Sequence, residues 1–287
     1  MTTNSQEYVW MNGKFMLLDE ANISILSHSL HYSGSVFEGI RAHSGKIFKL
    51  KEHIRRLFNS ASLMNLKVEY TESELINTTE VLIKKNSLSD AYIRPLIWRG
   101  NKDLKIDSQS EINIAIIAKN SKLAKTADAN LTISKWRKIS PNASPVQSKS
   151  SMLYAMMRIA KEEAIKQSFD DALMLDYEGF IAENTTSNIF FAQDNVLFTP
   201  IADRFLNGIT RQTVIKIAQN LGIKIKEVRI NIEDLDKYDD CFATGTAIGI
   251  KGIASITNHE QKYIFNNKQI TDLIRSEYYK LIEQQNV

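Results

Sequence analysis

The stretch PVQSKSSMLYAMM, residues 145–157, sets one lysine among small hydroxyl and apolar side chains. Lys149 follows a loop marked by Pro141 and Pro145 and precedes an amphipathic run, with Ser148, Ser150 and Ser151 around it. Burial and the positive end of a helix both disfavour an ammonium ion, so an amine placed there is expected to be less basic than usual. A neutral lysine amine attacks carbonyl carbon and can form a Schiff base. A solvated loop lysine would fit the same few residues, so the chemistry depends on what accompanies it.

Three further stretches accompany it. In NGITRQTVIKIAQNLGI, Gly208 precedes a helix whose first turn offers backbone N–H groups and the Thr210 hydroxyl, an anion site suited to phosphate. In ATGTAIG, small residues around Thr246 let a ligand approach backbone amides closely. In IAENTTSNIFF, Glu183 follows an apolar strand, where a carboxylate could keep a pyridine nitrogen protonated. Taken singly, these read equally well as a plain N-cap, a glycine turn and a strand-end acid. Together they supply an amine nucleophile, two phosphate-anchoring stretches and a ring-nitrogen partner, which are the requirements of pyridoxal 5'-phosphate.

The elements that must position these groups are legible in outline. Asn12-Gly13 between apolar segments predicts a hairpin. Ile54, Leu57, Phe58, Ala61 and Met64 recur at helical spacing over 50–64. TESELINTTEVLIKK opens with a capping box, Thr71 and Glu74, and continues as a helix. AYIRPLIW and EINIAIIAK read as strands. After a polar stretch, 119–130, come a strand (131–136), a helix (151–167), three strands within 171–199, a helix (210–221) closed by Gly222, a strand (223–230), more strand through CFATGTAIGI, and a last helix near 269–284. Strands and helices do not alternate strictly, so the fold class is α+β rather than doubly wound. The expected organisation is an N-terminal domain over 1–120, a linker over 119–130 and a larger domain over 131–287 carrying Lys149.

Composition narrows the function further. The chain has 287 residues, 43% of them hydrophobic, enough for two cores. Its 36 basic and 33 acidic residues are interspersed, which argues against nucleic acid as a partner. The single cysteine, Cys241, lies in an apolar run and reads as core, excluding an internal disulfide and a cysteine-based metal site; no metal is expected. With no signal-like N-terminus and no apolar run near bilayer length, the expectation is a cytoplasmic protein without a membrane partner.

Over roughly residues 8–255 the sequence resembles the class IV (fold type IV) pyridoxal-phosphate aminotransferases, most closely the bacterial branched-chain amino acid enzymes. SHSLHYSGSVFEGIR, AYIRPLI, PVQSK, the Glu183 stretch with SNIFF, LFTP, GITRQTVIKIAQNLGI and TGTA carry the resemblance, in matching order. It implies two α/β domains of the D-amino acid aminotransferase type with the active site between them. Lys149 is then the lysine that carries the cofactor. Arg56 binds the phosphate with Ile209, Thr210 and Thr246, Glu183 pairs with the ring nitrogen, and Tyr154 contacts the ring oxygen. The resemblance also implies a substrate pocket in which Phe37-x-Gly39-x-Arg41 is followed by Tyr92-x-Arg94. Tyr32, Phe37 and Tyr92 would wall an aliphatic side chain. Tyr92 with the amides of Thr246 and Ala247 would hold the α-carboxylate, and Arg41 and Arg94 would take the second carboxylate of glutamate or 2-oxoglutarate.

The implied reaction is transamination of leucine, isoleucine or valine with 2-oxoglutarate, by a homodimer acting on amino acids and 2-oxo acids. GNKDLKIDSQSE lacks the family's Gly-rich loop and 119–130 lacks its aromatics. ENTTSN is similar to D-amino acid aminotransferases. A D-amino acid aminotransferase, an aminodeoxychorismate lyase and a non-catalytic binding protein of this fold therefore stand as alternatives.

Overall fold

The computed structural model describes residues 7–123 and 127–284. The chain divides into two compact units. One comprises residues through Lys122 together with Ser148–Met152, the other Leu123–Gln147 with Leu153–Gln284. Lys149, expected in the domain of residues 131–287, thus makes its contacts with the first unit. Of the stretch 119–130, residues 124–126 lie outside the described residues. Its ends belong to flanking strands.

The first unit contains β1 (Tyr8–Met11), β2 (Lys14–Leu17), α1 (His28–Tyr32), β3 (Ser35–Phe37), β4 (Ile40–His43), β5 (Lys46–Ile47), α2 (Leu50–Leu63), α3 (Glu72–Lys85), β6 (Ala91–Arg99) and β7 (Ile112–Asn120). The strands form one antiparallel sheet in the order β2-β1-β7-β6-β4-β5, with β3 also on β6. The β1–β2 turn is the expected hairpin: Asn12 (φ 47°) and Gly13 (φ 87°) are both left-handed, as a two-residue turn between twisted strands requires. Ile54, Leu57 and Ala61 of α2 and Leu75, Leu82 and Ile83 of α3 form a core with Ile40, Ile93, Ile97, Ile114 and Ile116 of the sheet. Each of these leucines and isoleucines contributes roughly 1.5–3 kcal/mol on burial. The capping box on α3 is present, with Thr71 accepting from the Glu74 amide and Glu74 accepting from the Thr71 amide. Residues alternate along β6, so Ala91 and Ile93 are buried while Tyr92 and Arg94 share the other face.

The second unit contains β8 (Ala129–Arg137), most of α4 (Ser151–Lys166), β9 (Asp171–Leu175), β10 (Ile181–Asn184), β11 (Asn188–Gln193), β12 (Val196–Pro200), α5 (Ile209–Asn220), β13 (Lys224–Val228), β14 (Asp240–Gly245), β15 (Gly249–Asn258), β16 (Gln261–Ile264) and α6 (Gln269–Gln284). Residues 171–199 hold four strands, not the three the sequence pattern predicts. The turn Thr185–Ser187, closed by a hydrogen bond from the Asn184 amide to the Ser187 carbonyl at 2.8 Å, separates β10 from β11. The sheet order is β10-β9-β8-β15-β14-β11-β12-β13, with β16 on β15. Three pairs, β8/β9, β8/β15 and β12/β13, are parallel. Leu131, Leu173, Ile189, Phe191, Ala243 and Ile256 centre its core, in which Cys241 is fully buried. No helix among the described residues is long and apolar enough to cross a membrane.

Candidate active site

In the first unit, Lys149 sits two residues before α4 and is held through its backbone. Its amide donates to Ser60 Oγ of α2 at 2.9 Å, and its carbonyl accepts from the Phe37 amide at 3.1 Å. Ser148 and Ser150 on either side are buried. Small side chains are needed here because the segment bridges to Val36 of β3 and to the Ser60 carbonyl. The Lys149 Nζ lies 5.1 Å from the centroid of the Phe37 ring.

Four of the expected substrate residues gather near that ring. The Arg94 guanidinium lies 4.6 Å from the Phe37 centroid, and its Nη2 donates to the Tyr92 hydroxyl at 2.9 Å. The Arg41 guanidinium lies 5.8 Å from the Tyr92 centroid and donates to the Ser121 carbonyl. Gly39 is the position that admits Tyr92: a Cβ there would meet the Tyr92 hydroxyl at 2.2 Å. Tyr32 stands apart from this group. It is 42% exposed on α1, packs on His28 and His31, and donates its hydroxyl to the Leu104 carbonyl. The expected wall of Tyr32, Phe37 and Tyr92 is therefore incomplete within one chain.

Arg56 is fixed by a residue that the sequence reading missed. Glu38, fully buried, accepts from Arg56 Nε at 2.6 Å and Nη2 at 2.9 Å, and from His53 Nδ1 at 2.8 Å. Burial alone would raise the Glu38 carboxyl. The Arg56 charge and the His53 contact outweigh it and hold the group well below the usual carboxylate range. Burial pushes His53 below its ordinary value, against the opposing hydrogen bond and charge of Glu38, so it donates Nδ1–H as a neutral ring. Glu38 lies inside the quoted SVFEGIR, but its partners come from a helix 15 and 18 residues away. Arg55, by contrast, faces solvent and reaches only Glu72.

In the second unit, Glu183 is buried on β10. A register shift between Ile181 and Glu183 bends the strand there, as bulges do where a side chain is re-aimed. Its Oε1 accepts from Lys138 Nζ at 2.6 Å, and its Oε2 from Asn188 Nδ2 at 2.9 Å. Neither partner was expected: Lys138 carries no sequence signal, while Asn188 stands in the quoted SNIFF. The Gly208 amide donates to Asn188 Oδ1 at 3.1 Å, which joins the start of α5 to the Glu183 carboxylate. Ile209 and Thr210 open α5 as expected and are buried. Thr246 and Ala247 lie in the turn between β14 and β15, beside Thr186 and Ser187, which approach Gly245. Tyr154 packs on α4 against the cluster of Met157, Ala160 and Met174.

Pyridoxal phosphate fits these residues. The first turn of α5 is buried, yet its N-cap, Gly208, has no side chain to satisfy it, an arrangement that asks for an external anion. The buried hydroxyls of Ser150 and Thr244 lack a hydrogen-bond partner. The first unit supplies a fixed cation and a lysine amine, and the second a fixed carboxylate. Among the described residues, no cluster of histidine, cysteine or carboxylate side chains is placed to hold a metal ion.

Residues 35–256 match the family model "Amino-transferase class IV", and the chain belongs to that family. It is 52% identical over 287 residues to a Rickettsia bellii protein named "Probable branched-chain-amino-acid aminotransferase", covering 98% of this chain and 99% of that one. The branched-chain-amino-acid aminotransferase of Escherichia coli K12 is 34% identical over 268 residues, covering 89% of this chain and 87% of that one. Among solved structures, the branched-chain amino acid aminotransferase from Thermobaculum terrenum in its PLP-bound holo form superposes with a TM-score of 0.89. It is 30% identical, covering 98% of this chain and 95% of that one.

Proposed function

We propose that the protein is a pyridoxal 5'-phosphate-dependent aminotransferase. It moves the amino group of leucine, isoleucine or valine to 2-oxoglutarate, giving the branched-chain 2-oxo acid and L-glutamate. One arrangement carries this reading. The ring of Phe37 has the Lys149 amine 5.1 Å from its centroid and the Arg94 guanidinium 4.6 Å from it, so a nucleophile, an apolar wall and a carboxylate-binding group share one locus.

The cofactor supplies an electron sink for the pair of electrons left when the substrate α-carbon loses its proton. Lys149 would hold the cofactor, and its amine, once freed, would take the α-carbon proton as general base and deliver it as general acid. Arg56, oriented by Glu38, holds the phosphate with Ile209, Thr210 and Thr246. Glu183 faces the ring nitrogen and Tyr154 the ring oxygen. Tyr92 and the amides of Thr246 and Ala247 orient the α-carboxylate. Phe37 and Tyr92 receive an aliphatic side chain; Arg41 and Arg94 receive the distal carboxylate of glutamate, which is too costly to bury unpaired. One site then serves both halves of the exchange, with ping-pong kinetics.

The working unit in this reading is a cytoplasmic homodimer, with the chain's functional domains at 1–120 and 131–287 and a linker over 119–130. The exposed apolar side chains Ile23, Ile25, Leu26, Leu30, Leu104 and Ile106 suit a contact between copies, with Tyr32 beside them serving the partner's pocket. A panel of L- and D-amino acid donors against 2-oxo acid acceptors tests the reaction. Transfer from leucine, isoleucine and valine to 2-oxoglutarate is expected. A preference for D-alanine over every L-donor, or pyruvate release from aminodeoxychorismate, would replace it.

A further inference from the structure

Asn188 uses its whole side-chain amide. Nδ2 donates to Glu183 Oε2 at 2.9 Å and to the Leu206 carbonyl at 3.1 Å, while Oδ1 accepts from the Gly208 amide at 3.1 Å. Two acceptors face the nitrogen and one donor faces the oxygen, so the partners themselves fix which way the amide points. The residue is 4% exposed and sits in register with Thr244 on β14, so it has no room to turn. Gly208 is shaped to the same contact, since a Cβ there would come within 2.2 Å of Asn188 Oδ1. Its φ of −63° is one any residue adopts, so the glycine is required by the close approach and not by the backbone angle.

We propose that Asn188 is a positioning residue that sets the spacing between the carboxylate serving the cofactor's ring nitrogen and the helix start serving its phosphate. The proposal rests on the reading that Glu183 and the N-terminus of α5 hold pyridoxal phosphate. The ring nitrogen and the phosphate of that cofactor are joined through a rigid ring and a short CH2–O arm, which bounds their separation. A single rigid amide tying their two protein partners keeps those partners at a matching separation before the cofactor arrives. Pre-organisation of this kind is gained as affinity and as a fixed protonation environment. Lys138 completes the frame by holding the remaining oxygen of Glu183 at 2.6 Å.

The test is a double-mutant cycle on the full chain, with Asn188→Ala, Gly208→Ala and the pair, and Glu183→Gln alongside. Two quantities are read besides turnover. One is the dissociation constant of pyridoxal phosphate from the apo form. The other is the pH at which the absorbance of the bound cofactor changes. Asn188→Ala is expected to weaken cofactor binding by roughly tenfold, the worth of one hydrogen bond to a charged group, and to displace the absorbance transition in the same direction as Glu183→Gln. Gly208→Ala, whose added methyl presses on Asn188 Oδ1 at the phosphate end, should displace that transition as well. It should add little in the Asn188→Ala background, where the added methyl no longer meets Oδ1. Asn188→Ser, with one polar atom retained, takes the place of Asn188→Ala if the latter does not fold. Independent, additive effects of Asn188 and Gly208 would overturn the proposal. So would an Asn188 variant that loses thermal stability while both cofactor readouts stay at wild-type values. If Glu183→Gln itself leaves the absorbance transition unmoved, the assignment of Glu183 fails and the proposal falls with it.

Discussion

Each unit holds a buried carboxylate against a cation, Glu38 with Arg56 in the first and Glu183 with Lys138 in the second, yet the proposed function uses the two pairs in opposite senses. In the first unit, Glu38 takes two hydrogen bonds from Arg56 and one from His53 and is fully buried, while Arg56 keeps some exposure. There the carboxylate is the clamp, and the proposed function makes the guanidinium the working group. In the second unit, Lys138 and Asn188 take one oxygen each of Glu183, and the proposed function makes the carboxylate the working group. Helix starts show a parallel difference. α3 is sealed by its own Thr71–Glu74 box, whereas α5 begins at Gly208 with no side-chain cap. A polar group satisfied entirely by the fold stabilises it, and one left facing a ligand serves binding.

The largest expected effects come from removing a clamp. Glu38→Gln leaves Arg56 without its countercharge and should cost about 3–5 kcal/mol of stability, together with much of the cofactor affinity. Lys138→Met should cost a similar amount through Glu183. The Glu38 effect carries a pH signature. Its folded value lies below the ordinary 4.5, so its stabilisation is present above that pH and is lost as pH falls below it. His53 is depressed from 6.5, so it costs stability as pH falls through 6.5, where the unfolded ring takes a proton and the folded ring does not. Asp240, raised by burial, acts in the opposite sense, gaining stability as pH falls. Thermal midpoints of wild type and Glu38→Gln between pH 7 and pH 3 should therefore differ most at pH 7 and converge below 4.5. Parallel curves would show that Glu38 is not ionised in the folded chain.

Next in size is the working group of the second unit. Glu183→Gln should lower transamination by about a hundredfold or more, roughly 3 kcal/mol of barrier, with the cofactor still bound. Near wild-type turnover would make Glu183 another structural clamp and erase the contrast with Glu38. Smaller again, Arg94→Ala should weaken glutamate and 2-oxoglutarate by several-fold to a hundredfold, on the order of 1–3 kcal/mol, and leucine much less. Single-turnover half-reactions with each amino acid separate the two; equal losses would assign Arg94 to the shared α-carboxylate. The smallest effect belongs to the sealed helix. Thr71→Ala should cost about 1 kcal/mol by denaturant unfolding and leave turnover unchanged.

What the sequence revealed follows from how local each feature is. The Asn12-Gly13 hairpin, the Thr71–Glu74 box, α2, α5 and its closing Gly222 were all legible, because neighbours within a few residues decide them. So was the placement of Lys149 just ahead of α4 and of Gly208 at the start of α5, which residue types and spacing mark. The fourth strand within 171–199 was missed because only three residues, Thr185–Ser187, part β10 from β11, and both strands reach into the polar ENTTSN stretch. Glu38, Lys138 and Asn188 were missed as supports because their partners lie 15–45 residues away in the chain for Glu38 and Lys138, and Asn188 reads simply as a polar residue beside an apolar strand. Tyr32 shows the converse limit: a residue credited to the pocket lies exposed, and only a second copy would give it that use.

The chemistry stands or falls on the lysine with which the sequence first drew notice. Purified protein loaded with pyridoxal phosphate should be yellow, and reduction with borohydride followed by peptide mapping should place a single covalent cofactor adduct on Lys149. An adduct on any other lysine, or none in a yellow protein, would contradict the assignment of Lys149 as the residue that carries the cofactor.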